Sequence, residues 1–308
     1  MPSIAVREIG EADLERLVAA LNAIDRAGGW TTENLVDWRR QAEAMAWLVA
    51  EAGETPIGGA VVLVGWHNPC HIARARLGVR LEHRRRGAGS ALLARAAGWA
   101  LQHGATELDV EVPEDDARSL AWAERRSFRE VGRDSLMVLA LEGIDAPDPA
   151  PPEGIELVTW AERPDLIRGI YEVAREASVD IPGNEDDDIG SFEEWLSRDM
   201  QGSSDRPEAT FVALAGDEVV GFAKFSIGGD RERAFHDLTA VQRKWRGQGI
   251  AAALKRCQIA WAKESGYSRL ETFNEERNEP IRRLNARHGY RLQPGHITVR
   301  GPIPIEER

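Results

Sequence analysis

The same short pattern of arginine and closely spaced glycines occurs twice in the chain, each time between an apolar run and a helical pattern. The first copy is Arg86-Gly87-Ala88-Gly89-Ser90-Ala91 and the second is Arg246-Gly247-Gln248-Gly249-Ile250-Ala251, at an offset of 160 positions. Three further pairs recur at an offset of 162: Gly104 with Gly266, Leu108 with Leu270, and Phe128 with Tyr290. A repeat on this scale indicates two copies of one folding unit. A two-residue insertion in the second helix or at its end would explain the change of offset.

A proline-rich segment separates the two copies. Residues 143–154 contain four prolines and two glycines, which disfavours both helix and central strand. The total length of 308 residues also fits two domains of about 150 residues better than one. We therefore predict an N-terminal domain over 1–142, a linker over 143–154 and a C-terminal domain over 155–308.

Each half shows the same order of predicted elements. The predicted strands are Met45–Ala52, Ile57–Trp66, Ile72–Leu81 and Leu108–Val112 in the first half, and Thr210–Ala215, Val219–Ile227, Ala234–Val241 and Leu270–Phe273 in the second. Helical patterns cover Glu11–Ile24 and Arg163–Ala177, and Ile250, Leu254, Cys257 and Trp261 form one apolar helix face. Strands ahead of a long helix, followed by strand, helix and strands, predict an α+β (mixed α/β) fold in each half rather than a doubly wound sheet.

Composition restricts the class of partner. The net charge of −12 argues against binding to nucleic acid or to an anionic membrane. The two cysteines, Cys70 and Cys257, are far apart, so neither a disulfide framework nor a cysteine-based zinc site is expected, and no metal is predicted. Because no signal peptide and no apolar run of about 18 residues is present, we expect a cytoplasmic protein.

The repeated loop has the chemistry of a pyrophosphate site. The first turn of a helix leaves backbone N–H groups without partners, the helix dipole adds partial positive charge, and glycines let the backbone close on an anion. Either copy alone could equally be an ordinary strand-to-helix turn, but two copies in similar surroundings favour the binding site. The glycine spacings of nucleotide-triphosphate and dinucleotide loops are absent.

The second copy resembles the acetyl-CoA motif of the GNAT N-acetyltransferase superfamily. That motif follows a strand and reads glutamine or arginine, two residues of any type, glycine, any residue, then glycine or alanine. The run from Thr239 to Ala251 carries it, and Leu81 to Ala91 is similar in the first half. Downstream, Asn274, Asn278-Glu279-Pro280 and the run from Asn285 to Tyr290 resemble the second motif of the family.

The resemblance implies two tandem GNAT domains, each with a splayed mixed sheet flanked by helices. Acetyl-CoA would be the cosubstrate, and a primary amine of a small molecule would attack it directly in a ternary complex. Backbone near Val241, or near Leu81 in the first half, would bind the thioester carbonyl and stabilise its oxyanion. The implied cofactor-binding residues are Thr239, Val241, Arg246, Gly247, Gln248, Gly249, Ile250, Ala251, Asn274, Asn278 and Asn285, with Leu81, Arg86, Gly87, Ala88, Gly89, Ser90 and Ala91 in the first half.

The two halves differ in the residues that could complete the reaction. Family members often place a carboxylate on the fourth strand, about eleven residues before the loop arginine. The second half has His236 and Asp237 in that region, whereas the first half has Arg74, Ala75 and Arg76. His236 and Asp237 are therefore the candidate bases, although they could instead be a pair that only flanks the strand. Neighbours on a strand point to opposite faces, so at most one of them acts.

Further departures from the family pattern lie in the second motif. Asn285 and Ala123 occupy the position of a tyrosine that often serves as the acid in this family. Asn285 could contact the cofactor or be bonded within the protein, and the thiolate could leave unprotonated. Asp116 and Ser127 replace the residues equivalent to Asn278 and Gly289. We therefore expect the second half to catalyse and the first to bind coenzyme A weakly or only structurally.

The acceptor and the activity leave alternatives open. Residues 185–188, Glu-Asp-Asp-Asp, could attract a cationic acceptor, although such a run is commonly a solvated loop. The missing tyrosine is compatible with a non-catalytic acyl-CoA-binding sensor, and a longer acyl group is a further alternative.

Overall fold

A computed structural model describes residues 4–24, 29–65, 69–182, 189–228 and 232–305. The chain divides into two compact units. The N-terminal unit contains residues 1–133 and 295–308, and the C-terminal unit contains residues 134–294. Residues 134–142, which the sequence assigns to the first domain, thus lie in the C-terminal unit, whereas 295–308 lie in the N-terminal unit.

The described residues form twelve strands and eight helices. The strands are β1 (Ile4–Ile9), β2 (Ala44–Ala52), β3 (Thr55–Val64), β4 (Ile72–Val79), β5 (Glu107–Pro113), β6 (Arg129–Ala140), β7 (Glu156–Thr159), β8 (Phe211–Ala215), β9 (Glu218–Ile227), β10 (Arg233–Val241), β11 (Arg269–Glu275) and β12 (Arg291–Pro302). The helices are α1 (Leu14–Ile24), α2 (Thr32–Gln41), α3 (Ala88–Gln102), α4 (Ala117–Glu124), α5 (Ile167–Ser178), α6 (Phe192–Trp195), α7 (Ile250–Glu264) and α8 (Glu279–Arg287). None of these helices is long and apolar enough to cross a membrane.

In the N-terminal unit, β1 to β4 form an antiparallel sheet and β5 joins it in parallel to β4. The segment His296–Pro302 of β12 pairs antiparallel with β5 and completes that sheet. Helices α1 and α2 cover one face, where Leu17, Leu35 and Trp47 are buried. Helix α3 covers the other face with Leu92 and Leu93. The sheet is therefore buried on both faces, which explains its long continuous apolar strands.

The C-terminal unit repeats this arrangement. Strands β7 to β10 are antiparallel, and β11 is parallel to β10. The segment Asp134–Ala140 of β6 pairs antiparallel with β11. Helix α5 packs on one face around Ile170 and Val173, and α7 packs on the other around Ile250 and Leu254. Each unit therefore takes its last strand from the opposite half of the chain.

The predicted mixed α/β architecture is confirmed, and all eight predicted strands are present. The strand predicted over Ile72–Leu81 ends at Val79, because residues 81–83 form a 3₁₀ turn. The strand predicted to reach Trp66 ends at Val64, and Trp66 itself lies outside the described residues. Residues 143–154 contain neither helix nor strand, as their prolines predict.

The register of the repeat differs from the one read from the sequence. Helices α3 and α7 both have 15 residues and begin 162 positions apart, each after an N-cap glycine with left-handed backbone, Gly87 at φ 90° and Gly249 at φ 91°. The Arg84 guanidinium donates to the carbonyl of Val79 at 3.0 Å, as Arg246 donates to that of Val241 at 2.9 Å. The structural counterpart of Arg246 is therefore Arg84 and not Arg86, and the predicted two-residue insertion is absent.

A β-bulge at Asp237 accounts for the one difference in length between β4 and β10. On β10, His236 pairs with Phe225 and Leu238 pairs with Lys224, so Asp237 has no partner on β9. The pairing of β4 with β3 runs without interruption from Arg74 to Val79. The extra residue means that His236 corresponds to Ala75 of the N-terminal unit.

The repeat offers a matched test of backbone strain. Ser127 has φ 64° and its counterpart Gly289 has φ 86°, a region that is unfavourable for a residue with Cβ. We expect Ser127→Gly to stabilise the protein by about 1 kcal/mol and Gly289→Ser to destabilise it by about the same amount. Equilibrium unfolding in denaturant measures both changes. A loss of stability in Ser127→Gly would contradict the strained left-handed backbone at Ser127.

Candidate active site

Strands β10 and β11 of the C-terminal unit separate part of the way along β10. They pair only where residues 233–235 meet residues 269–271, although β10 continues to Val241. The N–H of Gln242 donates to Val220 on the β9 side at 2.9 Å. Because successive residues of a strand point their N–H groups to opposite sides, those of Thr239 and Val241 face the opening. We call this opening the C-terminal splay.

The loop that follows β10 leads into α7 and leaves its first amides available. We call residues 246–251 the C-terminal cradle. Within the described chain, the N-cap Gly249 has no side-chain capping bond, whereas Thr31, Asp116 and Ser191 cap other helices. Gly249 adopts a left-handed backbone and brings no side chain to this end of α7, and the helix dipole favours an anion there.

The side chain of Arg246 is bonded within the protein. Besides the bond to Val241, its guanidinium forms an ion pair with Asp180 at 2.7 Å. Arg243 donates to both oxygens of the same carboxylate at 2.9 and 2.7 Å, and these bonds lower the pKa of Asp180 to about 2. Arg246 therefore holds the loop in shape, and the backbone amides are the groups left to bind an anion.

Part of the segment between the two repeats packs beside this cradle. Arg256 of α7 donates to the carbonyl oxygens of Pro149 and Ala150. A Cβ placed on Gly249 would lie 3.8 Å from the ring of Pro152. The proline-rich segment is thus fixed to the helix that begins at the cradle.

His236 is enclosed on the α7 side of the sheet. Its Nδ1 lies 2.6 Å from the Gln258 side-chain oxygen, and its Nε2 is bonded to the Tyr290 hydroxyl. Gln258 turns its amide nitrogen toward the carbonyl of Ala209, so we assign the proton to Nδ1 and Tyr290 as the donor to Nε2. Burial, followed by the charge of Lys255, holds the pKa of His236 well below its usual value. Both ring nitrogens are occupied, which makes His236 a poor acceptor of a substrate proton.

Asp237 is exposed on the bulge, two residues beyond Phe235, the last residue of β10 that pairs with β11. Ser226 donates to one of its oxygens at 2.8 Å, and the Lys224 ammonium lies 3.4 Å from the other. Lys224 also contacts Asp205 at 2.8 Å. Burial alone would lower the pKa of this lysine, but the charges of Asp237 and Asp205 outweigh that effect and raise the pKa to about 12. Asp237 is therefore a fixed, accessible carboxylate at the start of the splay.

The three asparagines of the second motif, Asn274, Asn278 and Asn285, differ in their burial and in their hydrogen bonds. The Asn285 side chain is buried, and it donates to the Asn274 side-chain oxygen at 2.8 Å. Its own oxygen is buried and has no hydrogen-bond partner in the described part of the chain. Asn278 is the N-cap of α8 and forms no side-chain capping bond. Asn285 thus presents a free acceptor, and the cofactor-binding role of all three remains a prediction.

The N-terminal unit has a similar cradle, residues 84–89, but a different opening. Arg84 is paired with Asp116 at 3.1 Å, and Asp116 caps α4. Strands β4 and β5 pair through Ala75, and at the next position Arg76 forms an ion pair with Glu111 at 2.5 Å. This ion pair joins the two strands where they begin to separate, so a charged bridge closes the start of the opening.

The corrected register also changes the structural positions of the cofactor-binding residues predicted for the first half. Leu81 lies beyond the end of β4 and is 77% exposed, and Val79 is the counterpart of Val241. Arg86 corresponds to Gln248, while Ser90 and Ala91 lie within α3, where Ser90 accepts a bond from Arg126. The acidic run 185–188 lies outside the described residues. Among those described, no group of three or more His, Cys, Asp or Glu side chains is arranged to hold a metal ion.

Several polar residues behind the C-terminal splay were not found from the sequence. Lys255 and Gln258 lie on the buried face of α7, and Thr272 donates from β11 to the carbonyl of His236 at 3.1 Å. The sequence identifies Tyr290 only as the end of a motif, whereas in the structure its hydroxyl bonds to His236. The repeat could have revealed these residues, because their counterparts at an offset of 162 are all apolar.

The sequence and fold were compared with those of known proteins. Residues 15–128 and 167–290 match the model of the Acetyltransferase (GNAT) family. A comparison with curated proteins found no match.

Solved structures share the fold. The GCN5-related N-acetyltransferase from Sphaerobacter thermophilus superposes with a TM-score of 0.74 at 22% identity, covering 97% of this chain and 96% of that one. A tandem GNAT protein from the clavulanic acid biosynthesis pathway, solved without AcCoA, superposes with a TM-score of 0.77 at 21% identity, covering 97% and 98%. The tandem arrangement of two such domains is therefore shared along almost the whole chain.

The bond between Tyr290 and His236 can be tested without any ligand. Tyr290→Phe leaves the His236 Nε2 without a donor in the core, so we expect a loss of about 1–3 kcal/mol of stability. In a double-mutant cycle with His236→Ala, the two losses should not be additive, because the second substitution removes the unsatisfied acceptor. Unfolding in denaturant measures the cycle, and fully additive losses would show that the pair is not coupled.

Proposed function

Because the chain belongs to the GNAT family of acetyltransferases, we propose that its C-terminal unit transfers the acetyl group of acetyl-CoA to a primary amine of a small molecule. The observation that carries the proposal is an uncapped cradle beside an open splay, with the carboxylate of Asp237 at the start of the opening.

The cradle and the splay supply donors for two parts of acetyl-CoA. The amides of residues 249–251 suit the pyrophosphate, since they are uncapped and lie at the positive end of α7. The N–H groups of Thr239 and Val241 face the splay and suit the amide and thioester carbonyls of the extended arm. A donor placed at the thioester oxygen also stabilises the oxyanion that forms on attack. Asn274 of β11 and Asn278, the N-cap of α8, are the proposed side-chain contacts of the cosubstrate.

Asp237 is the proposed acceptor of the amine proton. When the amine nitrogen attacks the thioester carbon, a C–N bond forms and the nitrogen becomes positively charged and acidic. Asp237 takes that proton directly or through one water, and the C–S bond then breaks as the carbonyl re-forms. Ser226 and Lys224 fix the carboxylate for this step. His236 is assigned no proton transfer with substrate, because both of its nitrogens are bonded within the core.

The acceptor is proposed to be cationic. Two carboxylates, Asp237 and Asp205, lie around the single ammonium of Lys224, so this cluster carries excess negative charge when all three are ionised. A positively charged small molecule would be attracted to this side of the sheet, which α5 and α6 flank. No nucleic acid or membrane partner is proposed.

The N-terminal unit is proposed not to catalyse. Its opening has the Arg76–Glu111 ion pair where the C-terminal unit has a bulge and a free carboxylate. Its cradle is also uncapped at Gly87, so weak or structural binding of coenzyme A is still proposed there.

A second candidate function is a sensor that binds acyl-CoA without turnover. The buried amide of Asn285 favours it, since an amide cannot protonate a leaving thiolate. Under this alternative, acetyl-CoA raises the melting temperature but no amine releases thiol from it. The length of the acyl group is tested in the same assay by comparing acetyl-CoA with longer acyl-CoA donors.

Asp237→Asn removes the base and keeps the size of the side chain. We expect kcat for thiol release from acetyl-CoA to fall on the order of 100-fold with any accepted amine. Asp217→Asn, in the exposed turn between β8 and β9, is the matched control and should behave as the wild type. An unchanged kcat in Asp237→Asn would exclude Asp237 as the base.

Two tryptophan substitutions test which unit catalyses. Gly249 and Gly87 have the same left-handed backbone at the two cradles, so a bulky side chain should block each cradle to a similar degree. We expect Gly249→Trp to abolish thiol release and Gly87→Trp to retain most of it. Thermal shift with acetyl-CoA should be measured for both variants. Comparable loss of turnover in the two variants would contradict the division between the units.

A further inference from the structure

The two units differ systematically in the core behind the splay. Six buried polar residues of the C-terminal unit correspond to six buried apolar residues of the N-terminal unit, in the register set by the strands and helices. The pairs are Lys255 and Leu93, His236 and Ala75, Gln258 and Ala96, Tyr290 and Phe128, Asn285 and Ala123, and Thr272 and Val110. The same fold is therefore built with an apolar core at this place, so the fold itself does not require the polar one.

Burying polar groups is unfavourable unless each finds a partner, and a buried charge is the most unfavourable case. Four of the six are bonded to one another or to the backbone, and Asn285 donates to the side chain of Asn274. Lys255 is the exception. It is 1% exposed and, within the described chain, forms no hydrogen bond or ion pair; its ammonium lies 5.2 Å from the centre of the Tyr290 ring.

The position of Lys255 relates it to the proposed binding site for acetyl-CoA. It follows the first residue of α7 by five positions, or about 7.5 Å along the helix from the cradle. The Tyr290 ring that it contacts also lies against His236, with ring centres 5.6 Å apart. His236 is the first residue of β10 beyond the part paired with β11. The Tyr290 ring therefore lies near both Lys255 of α7 and His236, the residue at the start of the splay.

The groups around Lys255 leave its charge unbalanced. His236 faces it from β10, and Tyr290 and His288 face it from the end of α8; none of them is a carboxylate. Burial lowers the pKa of Lys255 from 10.5 to about 7, so both its forms are populated at neutral pH. A proton donor works best when its pKa lies near the working pH.

We propose that the Lys255 ammonium donates a proton to the sulfur of coenzyme A as the C–S bond of the adduct breaks. This inference rests on the proposed acetyl transfer by the C-terminal unit. The electron pair of the C–S bond goes to sulfur, the N–H proton of Lys255 moves to that sulfur, and coenzyme A leaves as a thiol. Lys255 is left neutral and regains a proton from water after product release, while the amine proton has gone to Asp237.

Substitutions of Lys255 test this role against a purely structural one. Lys255→Met keeps the length of the side chain without a proton, and Lys255→Arg keeps the charge but does not donate near neutral pH. Lys263→Met, on the same helix, is the matched control. The assay measures kcat and KM for thiol release from acetyl-CoA with an accepted amine across the neutral pH range.

For the wild type we expect kcat to fall on the alkaline side as Lys255 loses its proton. Lys255→Met and Lys255→Arg should both lower kcat on the order of 100-fold, lose that alkaline limb and leave KM for acetyl-CoA nearly unchanged. Lys263→Met should keep the wild-type profile. The proposal is overturned if Lys255→Met retains the wild-type kcat and alkaline limb, or if Lys255→Arg is as active as the wild type.

Thermal unfolding shows separately whether Lys255 serves stability. Because its pKa is lower in the folded than in the unfolded chain, the unfolded chain binds more protons between about pH 7 and 10.5, and stability should rise with pH there. Lys255→Met should melt at a higher temperature than the wild type and lose this rise. A lower melting temperature with unchanged turnover would assign Lys255 a structural role. If the wild type releases no thiol with any amine, acetyl transfer itself fails, and this proposal fails with it.

Discussion

The separation of β10 from β11 after three paired residues is the constraint on which the C-terminal unit depends. Backbone N–H groups that leave a sheet ladder must find another acceptor or stay hydrated. In this unit those of Thr239 and Val241 face the opening, and the uncapped amides of α7 follow within a few residues. The bulge at Asp237 places a carboxylate at the same point. A binding surface made mostly of backbone thus becomes specific through a few side chains.

Comparison of the two units separates what the fold needs from what the reaction needs. Both units have the same strand order, an arginine that closes the cradle and a left-handed glycine before the long helix. Only the C-terminal unit combines an accessible carboxylate with a polar core around Lys255. At the corresponding place the N-terminal unit has apolar packing and the Arg76–Glu111 ion pair. Retention of buried polar groups in one copy alone indicates a function for them.

The sequence predicts the duplication, the strand order and the phosphate-binding chemistry of the loops, because these follow from local patterns. It does not predict the features that depend on pairing between segments distant in the chain. Three consecutive arginines, Arg84 to Arg86, leave the register of the first loop ambiguous, and only the bond from Arg84 to Val79 resolves it. The exchange of the last strands between the two halves is not encoded in any local pattern. Lys255 is hidden because it follows Leu254 on the buried side of an ordinary amphipathic helix.

The most direct test of the account is hydrogen exchange of the backbone amides with and without acetyl-CoA. We expect acetyl-CoA to slow exchange in residues 239–241 and 249–251, which line the C-terminal splay and cradle. Strands β1 and β2 of the N-terminal unit should exchange as before. Release of thiol from acetyl-CoA with no change of exchange in residues 239–241 and 249–251 would contradict the account, because the cosubstrate would then react elsewhere on the molecule.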